Sequence, residues 1–322
     1  MEFYEKIAVK IFRQYGLDFG TAERAGGWTN AVWINGDVVL RLSLRKGNDI
    51  IRREVERSKV LPSTVGYPPN ISVGITDDYE WSLSERVQGK VLSEVWFNLS
   101  WAEKLITIKQ IINIMNEVHS VEISKIEHLT LRTAWYSSFN ESESLGDIER
   151  YIKCGYFTPE QGRILKDILI NFYKSKTYIT PVLCHGDITT DNLLWHDGNV
   201  VSLLDFEHSV IAPCQLDIHS VANLVLIQYD EVSSKDIVIL TEENYETQQY
   251  VNEVISLLKP FLSEQSDWDL FMGYNVLYRQ RFFEFWLADP QGEITSCDAY
   301  QKLLSFCDGN YGYLSKLLED DI

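Results

Sequence analysis

The chain has 322 residues, 45% of them hydrophobic and 12% aromatic, which is ample for one large or two modest packed domains and excludes a disordered segment. Its formal net charge of −18 is uneven: residues 1–88 hold 12 basic and 12 acidic side chains, whereas residues 89–322 hold 17 and 35. A negative field of that size repels nucleic acid and anionic membranes and draws cations, although acidic surfaces also serve solubility alone.

Apolar positions recur at helical spacing over residues 2–16 (Phe3, Ile7, Ile11, Phe12), and Gly16 ends the pattern. Strand-like segments follow from Phe19 to Leu44. Ala31 to Ile34 and Val38 to Leu42 flank Asn35-Gly36-Asp37, a strong hairpin signal. Helical spacing returns over residues 49–61, with Ile50, Ile51, Val55 and Ser58 on one side. Two more strands are predicted, Ile71 to Ile75 and Trp81 to Val87, turning at Asp77-Asp78. Beyond Gly89 the pattern becomes helical. Residues 101–120 place Leu105, Ile108, Ile111, Ile112, Met115 and Val118 along one face, and residues 160–174 predict a further helix. A strand-rich interruption spans 182–206, and helices resume from about residue 217. The expectation is an α+β chain: a small antiparallel sheet with one inserted helix, then a larger, mainly helical part.

Five cysteines are scattered without a C-x-x-C pair, which argues against a zinc or redox centre and suits a reducing compartment. No apolar run approaches the ~20 residues needed to span a bilayer. The first residues lack the pattern of a secretory leader. A cytoplasmic protein is expected, as a monomer or weak homodimer.

The chemistry concentrates between Val182 and Glu207. Leu193 to Trp195 and Val200 to Leu204 are apolar strands joined by His196-Asp197-Gly198-Asn199, whose Asp-Gly favours a hairpin. Pairing them puts Asn192 nearly opposite Leu203, so that Asn192 and Asp205 converge at the open end. A carboxylate beside an amide oxygen is a ligand pair for a hard cation such as Mg²⁺. Asp205 and Glu207, read as one extended segment, share a face. Asp187 enters the same hairpin just before Asn192, placed to orient an attacking hydroxyl and accept its proton. A surface hairpin with polar turn ends is the plainer account of any one of these residues. Their coincidence favours phosphoryl transfer.

The motif His185-Gly186-Asp187, followed by Asn192 and then by Leu204-Asp205-Phe206-Glu207, resembles the signature of the aminoglycoside phosphotransferase family. That family is related to choline and ethanolamine kinases and shares the protein-kinase fold. The resemblance implies a protein-kinase-like two-lobe fold, with residues 1–88 as the nucleotide-binding lobe and residues 89–322 as the catalytic and acceptor-binding lobe. It implies Asp187 as catalytic base, Asn192 and Asp205 as Mg²⁺ ligands, and ATP as donor, with GTP not excluded. His185 would support the catalytic turn, and Asp217 would anchor it.

Gly26, Gly27, Trp28, Thr29 and Asn30 fall where the family covers the phosphates. Paired glycines let backbone N–H groups approach closely, though a plain turn would also use them. Neither G-x-x-x-x-G-K-[ST] nor a full G-x-G-x-x-G is present. Arg41 stands at the family's strand cation and Glu54 at its partner; a guanidinium can hold phosphate with two donors. Arg45 competes for that place, and an ordinary Arg41–Glu54 ion pair is the alternative. Ser84 to Gly89 matches the connection between lobes, where backbone groups such as those of Glu85 and Val87 would receive adenine, with Gly89 as a pivot.

Only eleven residues separate Asp205 from Asp217, too few for a protein kinase's activation segment. Asp205-Phe206-Glu207 also departs from D-F-G, and no A-P-E follows. A small-molecule acceptor is therefore expected. From Gln215 to Ile322 there are 19 acidic and six basic residues. Asp191, Glu207, Asp230, Glu231, Glu284 and Asp289 are candidate contacts for a cationic aminoglycoside, amino sugar or amino alcohol. Trp268, Phe271, Tyr274, Tyr278, Phe282 and Phe285 recur at helical steps, as in a core helix or a site for a large apolar acceptor such as a macrolide. Trp135 and Tyr136 would stack on a sugar or quaternary amine, or anchor a loop. His119, His208 and His219 lack ligand spacing and are read as structural. A nucleotide-binding regulator without catalysis is the competing class, opposed by the presence of Asp187, Asn192 and Asp205. A paired-carboxylate hydrolase leaves the Asn192–Asp205 convergence unexplained.

Overall fold

The computed structural model describes residues 2–26, 29–126, 129, 140–227 and 245–317. Helix α1 (Glu2–Gln14) lies against a five-stranded antiparallel sheet. Its strands are β1 (Glu23–Ala25), β2 (Asn30–Asn35), β3 (Val38–Lys46), β4 (Asn70–Thr76) and β5 (Tyr79–Glu85), in the order β1-β2-β3-β5-β4. Alternation along the strands sends Ala31, Trp33, Leu40, Leu42, Trp81 and Leu83 into one core with Ile7, Ala8, Ile11 and Phe12 of α1. Asp77 and Asp78, both at positive φ, close the β4–β5 hairpin with the twist that two-residue turns supply. The strand expected to reach Val87 stops at Glu85.

Helix α2 (Ile50–Ser58), shorter than the expected 49–61, is inserted between β3 and β4. Asp49 gives it no side-chain cap. Instead Ile51 N–H donates to the buried Glu80 carboxylate of β5 at 2.9 Å, so the sheet caps the helix.

Beyond the short β6 (Lys90–Val91) and α3 (Leu92–Val95) the chain is mainly helical. Helices α4 (Trp101–His119), α5 (Glu141–Lys153) and α6 (Pro159–Lys176) each start at a capping box, formed by Ser100 with Glu103, Asn140 with Glu143, and Thr158 with Gln161. Helix α5 is not among the helices that apolar periodicity predicts; its signal is the cap. Four short strands follow: β7 (Val182–Cys184), β8 (Leu193–His196), β9 (Asn199–Leu203) and β10 (Val210–Ala212). Strand β7 pairs with β10, and β8 lies between β6 and β9. Helix α7 (Gln215–Ala222) continues into a π-helical turn at Asn223–Ile227, and α8 (Tyr245–Leu258), α9 (Gln265–Ala288) and α10 (Asp298–Cys307) complete the described helices.

A second, larger core runs from α4 to α10 and takes in Val65, Leu193 and Leu203. Helix α9 is buried on every side from Leu270 to Gln280. The aromatic stripe is therefore split. Phe271, Tyr274 and Tyr278 belong to the core, whereas Phe282 and Phe285 are 37% and 52% exposed. No described helix is long and apolar enough to cross a membrane.

The β8–β9 hairpin turns at Asp197-Gly198 as expected, both residues at positive φ. Its register is not the regular one. Leu194 pairs with Ser202 but Trp195 with Val200, so Val201 is a bulged extra residue. Leu203 consequently faces Leu193 rather than Asn192, and Leu204 N–H donates to Asn192 O at 2.7 Å. Gly66, at φ 69, makes room for the bulge: a Cβ there would lie 2.0 Å from the Val201 carbonyl oxygen. Gly66→Ala is expected to lose about 2–4 kcal/mol through left-handed strain plus that clash, read as a lowered urea midpoint. An unchanged midpoint would mean that the bulge relaxes freely.

Candidate active site

Strand β7 ends in the turn His185-Gly186-Asp187, which α7 fixes from beneath. Asp217, buried in the first turn of α7, accepts His185 N–H at Oδ2 and Gly186 N–H at Oδ1, each at 2.8 Å. His119 Nε2 of α4 lies 2.9 Å from the same Oδ2. Burial alone would raise this carboxyl. The hydrogen bond and charge of His119, with His185 and the Gly186 N–H, outweigh burial and hold its pKa below the ordinary range. His119 thus joins the anchor. Sequence spacing could not show this, because 98 positions separate it from Asp217.

His185 is buried with both ring nitrogens engaged. Asp187 N–H donates to Nδ1 at 3.2 Å, so the proton sits on Nε2, which donates to Leu204 O at 2.8 Å. Burial also lowers its pKa. His185 is a neutral strut between the Asp187 turn and the end of the hairpin.

Asn192 Nδ2 donates to Asp187 at its backbone oxygen (2.9 Å) and at Oδ2 (3.0 Å). Those bonds orient the Asp187 carboxylate and leave Asn192 Oδ1 unspent on Asp187. Asp205 follows β9 at φ 62 and ψ 65, in the left-handed region, and Phe206–His208 form a 3₁₀ turn. The extended Asp205-x-Glu207 segment expected from the sequence does not form. Glu207 instead turns inward, buried, with Oε1 3.2 Å from His208 Nε2.

The four carboxylates repel one another. Burial pushes Asp205 up to about 7; Arg41 opposes the rise, and the charges of Glu54, Glu207 and Asp187 add to it. Asp187 is raised too, by burial first, against the pull of His208, His185 and the Asn192 bond. His208, read as structural from sequence, is therefore electrically part of the site. Asp205 Oδ1 is buried with no hydrogen-bond partner, and Arg41 Nη2 lies 3.6 Å away.

Arg41 of β3 donates to Glu54 Oε1 of α2 at 2.8 Å. The same oxygen accepts Tyr67 OH at 2.7 Å and Phe206 N–H at 3.2 Å. Burial opposes the Arg41 charge, but Glu54 and Asp205 more than offset it and keep the guanidinium protonated. The competing cation, Arg45, is exposed. Tyr67, and Arg57 one turn beyond Glu54, are site residues that sequence reasoning missed. Tyr67 stands in a proline-rich connection, and Arg57 among charges typical of a surface helix.

Thr29 O accepts Leu44 N–H at 3.3 Å, and Gly26 borders open space. Gly27, Trp28, Trp135, Tyr136, Asp230 and Glu231 lie outside the described residues. Glu85 N–H donates to Pro69 O and Arg86 N–H to Asp37 O, which steers the connection toward Val87. Gly89, at φ 148, passes so near β8 that a Cβ would lie 2.9 Å from Trp195 O. Asp191 is exposed beside Asn192, and Asp289 is exposed beyond α9. Glu284 pairs with Arg150 at 2.6 Å and accepts Tyr151 OH, tying α9 to α5. Asp187, Asn192, Asp205, Glu207, Arg41 and Glu54 come together, with His185 and Asp217 in support; the contacts of Glu284 are with α5.

A two-lobe protein-kinase-like fold with this cluster at its hairpin defines a phosphotransferase. The chain belongs to the phosphotransferase enzyme family, whose model matches residues 21–235. Solved structures of the same fold include the GDP complex of aminoglycoside 2'-phosphotransferase-IIIa, 15% identical over 95% of this chain and 97% of that one, with a TM-score of 0.65. ADP-bound aminoglycoside phosphotransferase APH(2'')-Ib is 14% identical, covering 93% and 96%, with a TM-score of 0.60. A thermostable mutant of APH(4)-Ia with ADP and hygromycin B is 11% identical, covering 95% and 97%, with a TM-score of 0.61. At these identities the likeness is one of fold. A comparison with curated proteins gives no match.

Asp217→Ala is expected to cost about 3–5 kcal/mol in urea unfolding, because two buried N–H donors and the partly buried His119 ring lose their partner. The native pKa of Asp217 is depressed, so its contribution is present above the unfolded value of about 3.9 and is lost as pH falls below it. The stability gap between the protein and Asp217→Asn should narrow below about pH 4; a gap that widens there would contradict the assigned charge state.

Proposed function

We propose that this enzyme moves the γ-phosphate of ATP, or of GTP, to a hydroxyl of a small cationic molecule: an aminoglycoside, amino sugar or amino alcohol. The observation that carries this reading is the Asp187 carboxylate, oriented through Oδ2 by Asn192 and mounted on a turn that Asp217 fixes.

Asp187 would accept the acceptor hydroxyl's hydrogen bond and then its proton, with the Asn192 bond holding the carboxylate in one rotamer. Arg41 would bind donor phosphate, and Glu54 keeps its fork aimed. Gly26, Gly27 and Thr29 would cover the phosphates, and the backbone of Glu85 and Val87 would take the adenine edge. Residues 1–88 would then be the nucleotide-binding lobe, and residues 89–322 the catalytic and acceptor-binding lobe.

Mg²⁺ fits the residues present. Asp205 Oδ1 is buried without a hydrogen bond, Asn192 Oδ1 is left over, and the charges of Glu54, Glu207 and Asp187 add to the rise that burial gives Asp205. Asp205 and Asn192 would hold the ion, which when bound neutralises phosphate oxygens.

The cationic acceptor is supported by the acid excess of residues 215–322 and by the company the fold keeps. Neighbours in fold are described with kanamycin, gentamicin and hygromycin B, and with GDP or ADP. Asp191 and Glu207 remain the acidic candidates nearest in sequence to the catalytic residues. Exposed Phe282 and Phe285 on α9 favour a second reading, a large apolar acceptor such as a macrolide.

Asp187→Asn is expected to lower turnover about a thousandfold while leaving nucleotide affinity nearly unchanged, measured by phosphate transfer and calorimetry. Unchanged turnover would refute the assigned base. Nucleotide consumption with ATP or GTP should rise on adding amino sugars, aminoglycosides or amino alcohols. A rise with macrolides alone selects the second reading, and no rise with any acceptor returns the protein to a regulator.

A further inference from the structure

Helix α2 meets the loop after β9 at two points of opposite polarity. Glu54 Oε1 accepts Phe206 N–H at 3.2 Å. One turn on, Arg57 is 2% exposed, and its Nη1 lies 2.8 Å from Phe206 O, 3.2 Å from Glu207 O and 3.3 Å from Ser209 Oγ. Ser209 Oγ itself donates to Phe206 O at 2.8 Å. Both backbone polar groups of Phe206 are therefore gripped by one helix. The residue just before it, Asp205, sits at φ 62. That conformation is strained for a non-glycine residue and persists only where its surroundings over-determine it.

We infer that Arg57 is a positioning residue for phosphoryl transfer. Its guanidinium clamps the backbone of residues 206–209 so that the Asp205 carboxylate is presented to a divalent cation. The inference rests on the Mg²⁺-dependent reading above and deepens it. Arg57 acts through contacts separate from the Arg41–Glu54 ion pair: its carbonyl partners lie downstream of Asp205, whereas Arg41 reaches Asp205 from the sheet. Both carbonyls are reached by Nη1 alone, and a guanidinium suits this buried place because it is more weakly hydrated than an ammonium and keeps its charge. Glu54 and Arg57 also share one helix. A displacement of α2 would release the phosphate-side cation and the cation-binding loop together.

The test compares the full chain with Arg57→Met and Arg57→Lys. ADP binding is measured by calorimetry with and without MgCl₂, and hydrogen exchange of residues 203–211 is followed without nucleotide. Binding of ADP alone should stay within about twofold of the parent, whereas the enhancement by MgCl₂ should fall about tenfold in Arg57→Met and less in Arg57→Lys, the scale seen when supports of metal ligands are removed. Exchange should rise over residues 203–211 and stay unchanged over residues 185–192. If Arg57→Met does not fold, Arg57→Lys decides. An unaltered MgCl₂ effect in a folded variant overturns the inference. So does an equal loss of ADP binding without MgCl₂, which marks a purely structural role. A parent protein whose ADP binding ignores MgCl₂ sinks the metal reading itself, and that is seen before any variant is made.

Discussion

Glu54 places a negative charge where water does not reach it, and such a charge persists in a protein interior only if donors converge on it. The donors that reach Oε1 come from β3, from the connection at Tyr67 and from the loop at Phe206, and none belongs to α2. Oε1 is thus satisfied only when three separately built pieces are in place, while Oε2 is buried without a hydrogen-bond partner. Glu80 fixes the start of α2 from the sheet, and Arg57 fixes its end from the loop. The helix is pinned along its length by polar contacts rather than by apolar packing alone.

The turn that carries Asp187 is held differently. Asp217 gathers the N–H groups of His185 and Gly186 and the ring of His119, all within the larger lobe. No group on α2 is needed for it. His185 links the two systems through Leu204 O, one residue before Asp205. One half of the site is therefore preformed, and the other depends on how the small lobe seats its helix.

Local order made much of this legible in the sequence. Asn35-Gly36 and Asp197-Gly198 announce their hairpins because few residues tolerate those turns, and the 187–192–205 cluster follows from one short hairpin. What stayed hidden depends on longer range or on backbone shape. Nothing in the residue type at Val201 calls for a bulge, and nothing in Asp205 calls for a left-handed φ, so Glu207 was expected on an extended face that does not exist. The pairing of His119 with Asp217 bridges α4 and α7, and Arg57 sits among Arg52, Arg53 and Glu56, where a buried guanidinium looks like another solvated charge. Helix α5 was readable after all, through Asn140 and Glu143, but only by its cap.

The bulge at Val201 turns the length of a hairpin into a mechanical setting. Side chains alternate along a strand, so regular pairing of this hairpin at its present length would slide β9 by a single place and swap its faces. Leu203 would leave the core for a place opposite Asn192, and Asp205 would arrive about 3.4 Å beyond its present position. Gly66, far away in sequence, is the notch that keeps the extra residue seated. The bulge therefore absorbs one residue of hairpin length without passing it on to the reach of a carboxylate.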